Sequence, residues 1–393
     1  MAAGSNGALG PSRGTPEVRV LLVDLESAWR GGQSQALLLL QGLGARGYEA
    51  ELLAVSGAAL AERAQAAGIP VHTAAANFRR LGAARLLRRL LRERRFDVVH
   101  ANEAHALTAA WLAGAHRQAP VVVSRRVAFP LHANRLARAR YQSARCVLAI
   151  SRFVAKSVVD SGLPAGVISV VYDGVAVPPP CSPESRRRAR ERWGIAPGEP
   201  LLGCVGYLLP EKGQESLLRA LPAIRARVPN CRLLLAGDGP CRQRLDRLAK
   251  QLGVHSAVLF AGHVEDVSEV YRALDLFVFP SLAEPLGTSL LAAMSCGLPV
   301  MAVAAGGVPE VIEEGSGLLL AQSSPEEIAR AAVGLLLDRE LAARLGAAAR
   351  RVIERRFTAD HMVDATLKIY SEICDSAGVV RGSPAATSPV RLA

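Results

Sequence analysis

Residues 281–315 read SLAEPLGTSLLAAMSCGLPVMAVAAGGVPEVIEEG, and 25 residues without a formal charge separate Glu284 from Glu310. Such a run is a membrane span, a buried core, or a site that sets one acid beside a seat for phosphate. A span takes about 20 mostly apolar residues in succession. Here Pro285 and Pro299, with Gly287, Gly297, Gly306 and Gly307, break the run into loop, helix, turn, strand and loop. A buried helix–strand unit is therefore predicted. It places Glu284 just before a helix whose first turn holds Gly287, Thr288 and Ser289.

The same alternation extends outward in both directions. Before this stretch, PLLGCVGY (200–207), RLLLAG (232–237), AVLFAG (257–262) and LDLFVFP (274–280) have the length and composition of buried strands. LPVMAV (298–303) is the strand that follows. The first half repeats the arrangement with VRVLLVD (18–24), YEAELLAV (48–55), DVVH (97–100), APVVVS (119–124), CVLAIS (146–151) and VISVVY (167–172). Short apolar runs alternating with helices predict parallel doubly wound sheets. The halves also open alike, GGQSQALLLLQGL against EKGQESLLRALPA. The fold class is thus α/β with two similar domains. VAVPPPCSPESRRR (175–188) is the expected break, because three consecutive prolines do not sit inside an ordinary helix or central strand. The expected division is a leader at 1–16, a first domain at 17–177, a linker at 178–188 and a second domain at 189–357. A terminal helix at 358–377, capped by Thr358 and packing back on the first domain, and a disordered tail at 378–393 complete it.

Length and composition agree. A chain of 393 residues suits about two domains, each able to bury about 70% of its unfolded surface. Seven scattered cysteines, none in C-x-x-C spacing, exclude a complete disulfide framework and suggest no metal ligand set. A reduced, cytoplasmic protein is expected, with no secretory leader in the small, polar first 16 residues. The net charge of +12 is uneven. Residues 1–180 hold 22 Lys+Arg and 11 Asp+Glu, whereas residues 181–393 hold 25 and 24. Much of the excess lies in FRRLGAARLLRRLLRERR (78–95), with eight arginines and one glutamate. Leu81, Leu86, Leu87, Leu90 and Leu91 form its apolar face. Arg85, Arg88, Arg89 and Arg92 lie off that face, so the helix either packs on the sheet with its arginines in water or also meets an anionic membrane surface. No aromatics interleave with these charges, so no nucleic-acid partner is expected.

Ligands of doubly wound domains sit beyond the C-terminal strand ends, where helix N-termini favour anions. Three such places stand out: GYLLPEKG (206–213) with Lys212, AGDGP (236–240), and EPLGTSLLAAM (284–294). Together with LFAGHVEDV (259–267) and AAGGVPEVIEEGSGLLL (304–320), their order and spacing resemble the retaining glycosyltransferases of family 4, which have the GT-B fold. In the first half RGGQSQALLLLQGL (30–43), VVHANEAHAL (98–107), SRRVAFP (124–130) and the region 149–175 are similar too. The resemblance covers roughly residues 18–375.

This resemblance implies a nucleotide-sugar donor, a glycan or lipid-linked acceptor held mainly by the first domain, and a role in cell-surface polysaccharide synthesis. Lys212 would neutralise the donor diphosphate and Glu284 would contact the sugar hydroxyls. Donor contacts are expected from Gly206, Gly237, Gly262, His263 and Val264, from Leu286, Gly287, Thr288 and Ser289, and from Gly31 and Gly32. His105 is the expected first-domain catalytic group, and His100, Asn102, Arg125 and Arg126 are acceptor-side candidates. Neither a cofactor nor a metal is expected, and retention of anomeric configuration is. At three places the chain departs from the family pattern. Ala292 stands where a second acid, eight residues after Glu284, would hold the ribose; Tyr207 stands in a loop that often carries arginine; and Asn102 replaces the second histidine of a His-x-His motif. These departures keep an alternative open, a catalytically weakened GT-B protein that binds nucleotide sugar or a partner.

Overall fold

The computed structural model describes residues 18–77, 79–131 and 135–376. The leader and tail expected at the two ends lie outside the described residues. In the first half the elements are β1 (Arg19–Val23), α1 (Gly31–Ala45), β2 (Glu49–Val55), α2 (Ala59–Ala66), β3 (Val71–Ala74), α3 (Arg79–Glu93), β4 (Val98–Ala101), α4 (Ala104–Ala113), β5 (Val121–Arg125), α5 (Arg135–Gln142), β6 (Cys146–Ala149), α6 (Arg152–Asp160) and β7 (Ile168–Val170). Then follow α7 (Pro183–Arg192), β8 (Leu201–Val205), α8 (Gln214–Arg227), β9 (Arg232–Ala236), α9 (Arg242–Gln251), β10 (Val258–Gly262), α10 (Ser268–Ala273), β11 (Leu276–Phe279), α11 (Thr288–Ser295), β12 (Val300–Val303), β13 (Leu318–Leu320), α12 (Pro325–Leu337), α13 (Arg339–Arg356) and α14 (Ala359–Ser376).

Two sheets result, ordered β3-β2-β1-β4-β5-β6-β7 and β10-β9-β8-β11-β12-β13. Strand order reverses between β1 and β4 in the first and between β8 and β11 in the second. Such reversals open the crevices in which doubly wound folds bind ligands. By compactness the chain falls into two units. The first holds Met1–Ser124, Arg135–Val147 and Thr366–Ala393, and the second holds Arg125–Asn134 and Leu148–Ala365.

The uncharged run at 284–310 is explained by its surroundings. In β11 and β12 every residue is buried, and β11 pairs in parallel with both β8 and β12. Helices cover both faces of such a sheet, so its central strands have no solvent side on which charge is tolerated. Between the two strands, α11 buries Leu290, Leu291, Ala293, Met294 and Ser295, which leaves little room for a polar stripe. Burying each large apolar side chain contributes about 1.5–3 kcal/mol. No helix among the described residues is long and apolar enough to cross a membrane.

Two strands escaped the sequence reading. VHTA of β3 is polar at two of four positions, and β13 has only three residues. Helix α7 starts inside the stretch expected as a linker. Ser182 caps it by accepting from the Ser185 N–H, and Pro183 stands in its first turn, where a missing N–H costs nothing. Thr358 caps α14 as expected, its Oγ1 accepting from the His361 N–H at 3.1 Å. Helix α3 buries Ala83, Ala84, Leu87 and Leu90 while Arg85, Arg88, Arg89 and Arg92 are not buried. Leu81 of its expected apolar face is 48% exposed.

Candidate functional site

At the reversal of the second sheet, the loop after β8 supplies Lys212 and the loop after β11 supplies Glu284. Lys212 Nζ lies 2.7 Å from Glu284 Oε2, and Ser281 Oγ donates to the same oxygen at 3.1 Å. Glu284 is largely buried and Lys212 about a quarter exposed. A partly buried ion pair with its lysine still reachable can exchange one anionic partner for another. The backbone around it is tightly tied. Leu282 N donates to Glu211 O at 2.7 Å, and Gly307 N donates to Glu284 O at 2.8 Å. Gly306 has φ of +59°, and a Cβ there would lie 2.0 Å from Glu284 O, so that approach requires glycine.

Three residues after Glu284, Gly287 is the N-cap of α11. No side chain caps the helix there, and no acid stands in its first turn. The first-turn N–H groups have no carbonyl four residues back, so Gly287, Thr288 and Ser289 present donors and a positive dipole end to an anion. Leu286 is fully buried and anchors the loop. Gly206, Gly237 and Gly262 are brought together at the ends of β8, β9 and β10. Gly206 N donates to Ala236 O at 2.9 Å and Gly237 N to Gly262 O at 2.7 Å. A Cβ on Gly237 would lie 2.0 Å from Gly206 O. His263 is exposed and Val264 half-buried. Beside them an open cavity of 730 Å³ is lined by Asp238, Arg242, Phe260 and Gly262, among others. Arg242 stacks over the Phe260 ring at 3.9 Å, a feature the sequence reading missed.

Glu310 was also missed. Its carboxylate accepts from Arg152 N and Phe153 N, each at 2.8 Å, and from Tyr172 OH at 2.9 Å. It therefore sits on the N-terminus of α6 and fixes the segment from which Gly307 holds Glu284. Its signal in the sequence is the GGVPE run, a glycine turn followed by an acid. Ser151, the N-cap of α6, donates to Pro285 O at 2.6 Å.

In the first unit the corresponding reversal gathers a different set. Asp24, after β1, is fully buried and accepts from Gln33 Nε2 at 3.0 Å and Asn102 Nδ2 at 2.6 Å. Asn102 Nδ2 also lies 3.2 Å from Gly32 O, which ties the start of α1 to the end of β4. Gly31 opens α1 with neither a side-chain cap nor an acid in the first turn. Glu103, missed in the sequence, is the N-cap of α4. It accepts from the N–H groups of His105, of Ala106 at 2.6 Å and of Leu25 at 3.3 Å. Burial pushes its carboxyl up to about 7, with the Asp24 charge adding and the His105 and Ala106 N–H groups opposing. His105 is held below the ordinary imidazole range, first by burial and then by the charges of Arg79 and Arg80. Its Nε2 lies 3.8 Å from Glu26 Oε1. Ligand atoms of Glu26, Glu103 and His105 all lie within 4.8 Å of one another. Glu103 already accepts three backbone N–H groups, which competes with any metal there.

Three acceptor-side candidates stand apart from these groups. His100 is 1% exposed, with Nδ1 2.5 Å from Tyr370 OH and Nε2 2.8 Å from Ser124 Oγ, a buried histidine between two hydroxyls. Arg126 pairs with buried Asp173 at 3.1 Å. Arg125 is also buried, and it donates to Phe129 O.

Residues 29–177 match the family model described as Glycosyltransferase Family 4, and residues 185–352 the one described as Glycosyl transferases group 1. A GDP-mannose-dependent alpha-(1-6)-phosphatidylinositol monomannoside mannosyltransferase of Mycolicibacterium smegmatis is 36% identical over 178 residues, covering 43% of this chain and 46% of that protein. The chain thus spans about half the length of the first curated relatives it matches. A D-inositol 3-phosphate glycosyltransferase of Stackebrandtia nassauensis is 32% identical over 320 residues, covering 74% of this chain and 71% of that protein. Among solved structures, Anabaena Alr3699/HepE in complex with UDP-glucose superposes with a TM-score of 0.80 at 23% identity, over 90% of this chain and 100% of that one. This likeness shows a common GT-B fold.

Proposed function

From the premise that the chain belongs to the family 4 glycosyltransferases, we propose that it moves a sugar from a nucleotide-sugar donor to a glycan or glycolipid acceptor. The observation that carries this reading is the Lys212–Glu284 pair at 2.7 Å, set beside the uncapped start of α11. A departing nucleoside diphosphate gains negative charge as the glycosidic bond breaks. Lys212 and the N–H groups of Thr288 and Ser289 stabilise that charge where it develops. Once Lys212 turns to the diphosphate, Glu284 is released to accept hydrogen bonds from the sugar hydroxyls. Retention of configuration follows from attack on the face that the diphosphate leaves, with a departing-group oxygen taking the acceptor proton. This chemistry is proposed to run without a metal, because Lys212 and the backbone supply the positive charge.

The product is assigned to cell-surface polysaccharide synthesis at the inner face of a membrane, with the outward arginines of α3 meeting anionic lipid. The relatives' names support a lipid- or polyol-linked acceptor, since one acts on a phosphatidylinositol monomannoside and another on an inositol phosphate. Ala292, which leaves the donor ribose without the acid expected there, favours the second reading, a catalytically weakened protein that binds nucleotide sugar or a partner. One assay separates the two: nucleoside diphosphate release and binding across UDP- and GDP-sugars, with the anomeric configuration of the product read by NMR. Release with a retained anomer is expected. Binding without release selects the nucleotide-sugar-binding form of the second reading, and no binding to any donor defeats the first reading and leaves the partner-binding form.

A further inference from the structure

Arg125 and Arg126 are committed to Phe129 O and to Asp173. The first unit offers another basic set, drawn from two helices that flank His105 of α4. Arg79 and Arg80 open α3 just beyond β3, and Arg140 lies on α5. Arg79 NH1 donates to Leu25 O at 3.3 Å; the next residue is Glu26, whose carboxylate stands 3.8 Å from His105 Nε2. Arg140 NH1 donates to Thr108 Oγ1 at 2.7 Å, one turn along α4 from His105. Arg80 is exposed and holds no ion pair among the described residues.

The acids facing this group are Asp24, Glu26 and Glu103. Asp24 is turned to Gln33 and Asn102, and Glu103 to three backbone N–H groups. That leaves Glu26 as the acid directed at His105, against three permanent cations. The proton affinity of His105 is lowered first by burial, then by Arg79, Arg80 and Arg140, and is raised by Glu26. His105 and Glu26 are each about a third exposed, so the group opens to solvent. It lies beside the reversal of the first sheet, where the strand order opens a crevice.

We propose that Arg79, Arg80 and Arg140, together with His105, form a subsite for a phosphate group carried by the acceptor. The inference rests on the glycosyltransferase reading and narrows its acceptor to an anionic one. Guanidinium forks match phosphate oxygens in pairs, and arginine stays charged at any working pH. A protonated His105 adds one further donor, so phosphate and proton bind cooperatively.

The test uses the full chain carrying ¹³C-labelled histidine, titrated by NMR with inorganic phosphate against chloride at equal ionic strength. Phosphate is expected to raise the His105 midpoint by about one pH unit. The exposed substitution Arg80→Ala is expected to weaken phosphate binding about tenfold, and Arg140→Ala by at least as much. Glycerol 3-phosphate and glycerophosphoglycerol, run in parallel, distinguish a phosphate monoester from the diester of a lipid headgroup by whichever moves His105 at lower concentration. UDP and GDP binding is measured on the same samples. An unmoved His105 in a protein that binds nucleotide overturns the subsite and leaves the function standing. A moved His105 without nucleotide binding at any donor keeps the subsite and overturns the function. An Arg80→Ala variant that binds phosphate as well as the parent also overturns the subsite.

Discussion

Lys212 and Glu284 pair at 2.7 Å, and that pairing sets what their removal does. Lys212→Ala is expected to lower kcat by about 10²–10³-fold, the scale seen when one preorganised donor to a developing anion is lost. Glu284→Ala should lower kcat/KM while leaving nucleoside diphosphate affinity nearly unchanged, because its role is toward the sugar. Steady-state kinetics with UDP and GDP binding on each variant check both, and normal rates in either would remove that residue from the site. Glu103 makes a different prediction. Its carboxyl is raised from an ordinary 4.5 to about 7, chiefly by burial. The folded state therefore binds that proton more tightly than the unfolded chain does. The resulting stabilisation is complete below about pH 4.5 and is lost as the pH rises through 7. It amounts to about 3 kcal/mol. Urea unfolding at pH 5 and pH 8 should show Glu103→Gln losing less stability than the parent over that interval; parallel slopes would place the proton elsewhere.

At the scale of elements, the loops around α11 are held by close backbone approach rather than by side-chain bulk. Gly306→Ala would force a Cβ into Glu284 O in the left-handed region, so it should cost about 1–3 kcal/mol and shift the acid out of place. Gly44→Ala is the matched control. Gly44 lies within α1 without positive φ, and a Cβ added there would meet nothing within 4 Å, so the change should stabilise by up to about 1 kcal/mol. Thermal unfolding and nucleotide binding of the pair settle the point: loss of both in the first and neither in the second is expected. Equal behaviour would mean that the loop relaxes around the added methyl.

At the scale of the whole molecule, the charge excess of the first half comes to the surface on α3. Arg85, Arg88, Arg89 and Arg92 all reach solvent, although Arg88 also donates to Leu112 O and Ala113 O, and Arg89 pairs with Glu93. Arg85→Glu with Arg92→Glu should reduce binding to vesicles rich in anionic phospholipid by at least tenfold, and added salt should do the same to the parent. Unchanged sedimentation with vesicles would confine α3 to packing on its sheet. The alternation of apolar runs determined two doubly wound parallel sheets, because strands buried on both faces admit no charge and every crossover needs a helix. Glycine spacing likewise placed Lys212, Glu284 and the start of α11, since strand-end loops are local and their chemistry can be read in order. What the sequence could not decide depends on distant partners. Glu103 caps α4 through its own neighbours His105 and Ala106, but its bond from Leu25 N and the hold of Glu310 on the start of α6 join residues far apart in the chain, and β3 and β13 became strands only by pairing. His100 was drawn into the core by Tyr370, 270 positions away, and Arg126 was spent on Asp173. Burial and partner choice are sums over contacts far apart in the chain, and only the tertiary structure brings those contacts together.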